Sequence, residues 1–204
     1  MMTHTLTTIA LPFAALLEPG LFHARHRRQF FTLLEVFLRS THLPAYLAAA
    51  FAKRLSRLAL SAPPHGCMLA IGFVHNLLRR HPGCCVLLHR TQNAGEVTSA
   101  TDPFVEGEAD PAQCRALESS LWELDTMRSH YSPSVARFVA VLDKDLTDKR
   151  KTQDMDLAAL GGASYATMVS EELERRLKTV PLAFYSTPEE EPAGLWGGDG
   201  KLGE

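Results

Sequence analysis

The chain has 204 residues, 46% apolar and 22% charged, so it is long and apolar enough for one buried core, which excludes global disorder. Its net charge of -2 conceals an asymmetry: residues 1–90 carry 10 Lys and Arg against Glu18 and Glu35 and hold eight of the nine histidines, whereas residues 91–204 carry 11 bases against 21 acids. Such a split fits a basic face for an acidic partner or two complementary layers of one fold; the four cysteines exclude the dense disulfide framework of a small secreted domain and point to a reducing compartment.

Residues 1–17 begin without Lys or Arg and show no small-residue cleavage site, which argues against a signal peptide. A short helix is predicted over 12–17, interrupted by Glu18-Pro19-Gly20. The next spans 24–39, with Phe30, Leu33, Leu34, Phe37 and Leu38 as its apolar stripe. In the third, "LPAYLAAAFAKRLSRLALSAPP", a wheel places Leu43, Leu47, Ala50, Phe51, Leu55 and Leu58 on one face, with Lys53 and Arg57 turned outward. Arg54 falls inside that stripe, and a buried guanidinium needs a partner. The expected partners are Glu118, Asp125 or a helix-terminal carbonyl.

A fourth helix is expected over 67–80, ending before Pro82 because the residue ahead of a proline is disfavoured in the α region. Residues 58–78 carry no Lys, Arg, Asp or Glu and approach membrane-spanning length. Pro63 and Pro64 break the span where hydrocarbon most punishes unpaired backbone, so a helix boundary is the better reading and a membrane-associated protein the weaker alternative. Residues 91–112 read as a mobile acidic loop, 111–129 and 133–146 as helices, 143–160 as a charged linker and 164–178 as a last amphipathic helix. The helical domain thus runs over 1–185, followed by a Pro-, Gly- and Glu-rich disordered tail over 186–204. Helix pairs punctuated by prolines about every 40 residues predict an all-α fold, a HEAT/armadillo-like α-solenoid of antiparallel helix pairs.

Little in the chain points to catalysis. His75, His81, Cys84, Cys85 and His89 include one pair with metal-ligand spacing, His81 and Cys84, but no second pair follows, so buried thiols and helix-end histidines are the plainer reading. Ser119, Asp125 and His130 lack a nucleophile elbow, and no phosphate-binding or dinucleotide glycine motif is present. No cofactor or metal is therefore expected. The basic residues Arg25, Arg27, Arg28, Arg39, Lys53, Arg54, Arg57, Arg79, Arg80 and Arg90 recur on successive helices, either as a ridge that meets RNA phosphates or as a solvated edge, with Arg27, Arg28, Lys53, Arg57, Arg79 and Arg80 as the foremost candidates.

Five runs then read together, in order: LPAYL with Leu43, Pro44 and Tyr46, AFAKRL with Phe51, Arg54 and Leu55, APP with Pro63 and Pro64, NLLRRHP with Leu77, and SSLWEL with Leu121, Trp122 and Leu124. They resemble the CCAAT-binding-factor (CBF) domain family over residues 14–142, with a weaker echo in "SYATMVSEELERRLKTVPLAF". The resemblance implies the C-terminal portion of a longer, non-catalytic HEAT-like scaffold of the nucleolus. Its implied partners are nucleolar protein 14 and other small-subunit processome proteins, its implied process is maturation of small-subunit ribosomal RNA, and pre-rRNA is a further candidate contact. The motif residues, Trp122 included, are expected in the core.

Overall fold

Three long helices, α1 (Arg27–Leu38), α2 (Ala45–Ala59) and α3 (Pro64–Arg80), form where apolar residues recur at three- and four-residue spacing. The structure is a computed structural model that describes residues 11–40, 42–89, 102–108, 110–146, 148 and 150–175. Among these residues the chain is mostly helical and contains no strand. The shorter helices are α4 (Trp122–Thr126), α5 (Pro133–Val139), α6 (Leu157–Gly162) and α7 (Tyr165–Glu174), with one more helical stretch over 11–15. Tight 3-10 turns lie at Pro19–His23, Pro82–Leu87, Ala116–Glu118, Met127–Ser129 and Ala140–Asp143. The chain divides into two units, Met1–Met168 and Val169–Glu204. All that follows concerns the first; in the second, the described residues 169–175 are exposed.

Helices α2 and α3 make the centre. The short link over 60–63 folds α3 back on α2, and Pro64 opens α3 at its first position, where a missing N–H costs nothing. The helix therefore starts three residues before its expected Cys67. Gly66 lets it do so, because a Cβ there would lie 2.8 Å from Cδ1 of the buried Phe22. Ala48, Ala49, Ala52, Ser56 and Ala59 keep the second side of α2 slim, and that side is buried as well.

Aromatic contacts tie the first layer together. Phe13 stacks on Phe37 with ring centres 5.3 Å apart and tilts against Phe30 at 5.9 Å. Phe31 lies 5.6 Å from both Phe22 and Phe73, and Phe37 reaches Phe51 of α2 at 6.0 Å. Helix 11–15, α1, α2 and α3 are thus joined through ring faces and edges, arrangements that add to plain area burial.

Several expectations are corrected. The helix expected over 111–129 is broken into turns, because Arg115 takes a left-handed conformation (φ 55°) and Ser119 is extended. The helix expected over 133–146 ends as α5 and a 3-10 turn. The acidic loop is only partly outside the described residues: Phe104 and Pro111 are buried, so residues 102–108 and 110–112 belong to the fold. The charged linker is not a spacer either. Asp156 caps α6 by accepting from the N–H groups of Ala158 (2.9 Å) and Ala159 (3.2 Å), and Leu157 is buried beside Gly72 of α3. Residues 91–101, 186–204 and Arg90 lie outside the described residues.

Candidate functional site

The wheel that turns Lys53 away from the leucine stripe is right about direction and wrong about what waits there. Lys53 is 0% exposed. Its Nζ lies 2.8 Å from Oδ2 of Asp102 and 2.6 Å from Oε1 of Glu123, and it donates to the carbonyl of Ser120 at 2.6 Å. One turn on, Arg57 places Nη2 2.9 Å from Asp102 Oδ2 and Nε 2.8 Å from Glu123 Oε1. Two cations and two carboxylates cancel, which is the condition for keeping charges in a dry interior.

Ser119, Ser120 and Trp122 of SSLWEL also contribute to this lock. The Ser119 hydroxyl donates to Asp102 Oδ1 at 2.5 Å, Ser120 lends its carbonyl, and Trp122 Nε1 donates to Asp102 Oδ2 at 3.0 Å. The indole also lies under both cations, 5.5 Å from Lys53 Nζ and 5.0 Å from the Arg57 guanidinium carbon. Trp122 is 40% exposed, so its expected place in the core is corrected: it roofs the lock. Burial works against ionised Asp102, yet Lys53, Ser119, Trp122 and the Phe104 N–H together hold its carboxyl well below the usual carboxylate range. Burial pushes the Glu123 carboxyl up, and Glu123 Oε2 has no hydrogen-bond partner.

A second fastening runs along α3. Asn76 donates to the Met155 carbonyl at 3.0 Å and accepts from the Met155 N–H at 2.8 Å, gripping the chain as a strand partner would. Arg79 and Arg80 reach Asp154 at 2.6 and 2.7 Å, and Arg79 also donates to the Thr152 carbonyl. Arg27 donates to the carbonyls of Phe22 (3.0 Å) and Ala163 (2.7 Å). Arg54 donates to the Ala14 carbonyl at 3.0 Å, at the end of helix 11–15, and to that of Glu108. Its expected helix-terminal carbonyl is therefore found, and Glu118 and Asp125 are not its partners.

The expected basic ridge needs the same correction. Of Arg27, Arg28, Lys53, Arg57, Arg79 and Arg80, Arg28 alone is exposed, while the other five are spent on acids and carbonyls of the fold. Asp102, Glu123, Asn76 and Asp154 carry much of the site and were not singled out from the sequence. The available signal was the lysine-arginine pair one turn apart inside an alanine-rich helix, too long a run of small residues for a solvated face.

No catalytic set assembles from the sequence candidates. Ser119 donates to Asp102 and Asp125 pairs with Arg128 at 2.8 Å, so neither turns to His130. Among the described residues no three metal-ligating side chains come together. The thiols of Cys67 and Cys84 are pushed up to about 11 by burial and donate to helix carbonyls at 3.3 Å. They are packed, protonated groups rather than nucleophiles. No described helix is long and apolar enough to cross a membrane.

Beside the lock lies a cavity of about 300 Å³ between the 82–87 turn, α4, α5 and the 140–143 turn. Leu87, Leu88, Leu121, Leu124, Val139 and Leu142 give it an apolar side, and the Leu121 N–H bonds to the Leu87 carbonyl at 3.0 Å. His89, Ser120, Trp122, Asp125, Arg128 and Asp143 also line it.

The family profile described as "CBF/Mak21 family" matches residues 13–139. The chain belongs to the CBF/Mak21 family. Its CBF/Mak21 region runs from helix 11–15 to the end of α5 and so contains all four lock residues and most of the cavity wall. The Asn76–Met155 fastening closes beyond it. Similar proteins include "Nucleolar complex protein 4 homolog" of Danio rerio, 46% identical over 83% of this chain and 31% of that protein. The Homo sapiens protein of the same name is 44% identical over 92% of this chain and 34% of its own length. "Protein NUCLEOLAR COMPLEX ASSOCIATED 4" of Arabidopsis thaliana is 43% identical over 85% of this chain and 33% of its own length. The chain spans about a third of the length of these relatives.

Proposed function

We propose that this chain is a non-catalytic helical scaffold of ribosome biogenesis in the nucleolus. In this reading it binds nucleolar protein 14 within the small-subunit processome and supports maturation of small-subunit ribosomal RNA, its helices stacking in the HEAT-like manner. The observation that carries the reading is the identity of about 45% to proteins named for the nucleolar complex, over most of this chain. The physical chemistry agrees: the charged groups that a sequence reader would give to catalysis or to RNA hold helices to one another, as a scaffold requires. Direct RNA binding through the basic residues of the first half would rest on the exposed Arg25, Arg28 and Arg39 among the described residues.

Co-purification of this chain with tagged nucleolar protein 14, washed at low and then at high salt, tests the reading. Retention at both salts is expected, because a packed apolar interface is little screened by ions. Loss at both, for a chain shown by circular dichroism to be helical, overturns it.

A further inference from the structure

We propose that the cavity beside Trp122 is a socket for one apolar side chain of a partner polypeptide that carries a lysine or arginine next to that side chain. The socket rests on the scaffold reading for its biological partner, but its chemistry is read from the cavity alone. At about 300 Å³ the cavity is at the small end of ligand sites, large enough for one aromatic or branched aliphatic side chain. Leucine and valine give it one apolar side, and polar side chains make up the rest of its lining. The Leu121 to Leu87 backbone bond and the lock, which fixes Trp122 through Asp102, hold its shape. A preformed pocket saves the ordering cost of making one.

The mouth decides the charge of the occupant. Asp125 is 78% exposed and lies 2.8 Å from Arg128 Nε, while Arg128 Nη1 donates to Asp143 at 2.9 Å. Among the described lining residues, two carboxylates against one guanidinium leave one net negative charge around the opening when His89, which also lines it, is neutral. Arg57 and Lys53, which lie over the Trp122 ring, are neutralised by Asp102 and Glu123. A phosphate would meet this rim at a loss, whereas a cation beside an apolar anchor gains from it.

The probes are capped dipeptides, Ac-Phe-Lys-NH2 and Ac-Phe-Glu-NH2, titrated into the chain at pH 8 so that imidazole charge plays no part. The chain has two tryptophans, and Trp196→Phe leaves the Trp122 indole as the single indole N–H signal in the NMR spectrum. Ac-Phe-Lys-NH2 is expected to shift that signal and the methyls of Leu124 and Leu142 saturably in the millimolar range. Ac-Phe-Glu-NH2 is expected to bind roughly two- to five-fold more weakly, because exchanging Lys for Glu reverses the sign of a screened interaction with one net charge. Asp125→Lys, at an exposed position, should invert the preference. No saturable shift, equal affinity for the two peptides, or displacement of the lysine peptide by oligouridylate each overturns the socket. These titrations need no partner protein, so their failure leaves the co-purification result standing, and failed co-purification leaves a positive titration standing.

Discussion

Replacing Lys53 by methionine removes one charge from a cluster of four while keeping the length of the side chain. Its two carboxylate contacts, at 2.8 and 2.6 Å, are each worth about 6 kcal/mol of attraction at an effective dielectric of about 20. Most of that offsets the dehydration of the ions, so the attraction is not the cost of the mutation. The cost comes from what is left. Glu123 is 0% exposed and already lacks a hydrogen-bond partner at Oε2, and Lys53→Met leaves it and Asp102 sharing Arg57. Breaking a buried pair from one side costs about 3–5 kcal/mol, a large fraction of the roughly 5–15 kcal/mol that holds a domain folded.

Urea unfolding followed by far-UV circular dichroism reads this directly. With a slope of about 2 kcal/mol per molar urea, the midpoint should fall by about 2 M. Adding Glu123→Met to Lys53→Met removes the orphaned carboxylate and should restore at least half of the loss, so the coupling in the double-mutant cycle is about 2 kcal/mol plus the cost of Glu123→Met alone. Arg57→Met, at a side chain 24% exposed, should cost about 1–2 kcal/mol. A Lys53→Met cost below about 1 kcal/mol, or additive single and double mutants, would refute the argument that these four charges form one unit.

Asp102→Asn should cost most near neutral pH, and its deficit should shrink as pH falls below about 4. The free carboxyl titrates near 3.9, the folded one lower, so the stability it contributes is complete above the first value and lost through the second; a deficit constant down to pH 2 would contradict this. Asn76→Ala should cost about 1–3 kcal/mol by leaving both polar groups of Met155 unpaired, and hydrogen exchange should speed up first at residues 152–157. Uniform acceleration across the chain would show that the fastening is not local. Gly66→Ala should destabilise by about 1–3 kcal/mol despite alanine's helix preference, because the new methyl meets the buried Phe22 ring at 2.8 Å and Ala62 at 3.2 Å; equal or raised stability would mean that Phe22 can move.

The long helices were legible because their information is local. Leu34 and Leu38 of the expected stripe are buried and Phe30 and Phe37 pack against the core, but Leu33 is 60% exposed and Phe31 is buried in its place; with Pro64 opening α3 and Pro82 closing it, α1 to α3 could be drawn from neighbours a few residues apart. What was illegible is non-local. The wheel gives the side of α2 that Lys53 occupies, but the acid that meets that side comes from Asp102, which lies 45 residues beyond Arg57 in a stretch that reads as loop. The same contacts explain the broken helix. Ser119 must be extended to put its hydroxyl on Asp102, and Ser120 must turn its carbonyl to Lys53, so a run with good helical periodicity gives way to the lock.

Charge asymmetry was the one global signal that pointed the right way without naming its residues. Bases gathered before residue 91 and acids after it fit either a basic surface or two complementary layers. The ion pairs fit complementary layers for four of the bases: Lys53, Arg57, Arg79 and Arg80 of the first half meet Asp102, Glu123 and Asp154 of the second within 3 Å, while Arg25, Arg28 and Arg39 are exposed. A surface ridge would have needed those guanidinium and ammonium groups in water, where exposed pairs contribute little. With Asp102 and Glu123 already neutralised, the unbalanced charge near Trp122 among the described residues comes from Asp125, Arg128 and Asp143 at the cavity mouth, which is what the proposed socket needs.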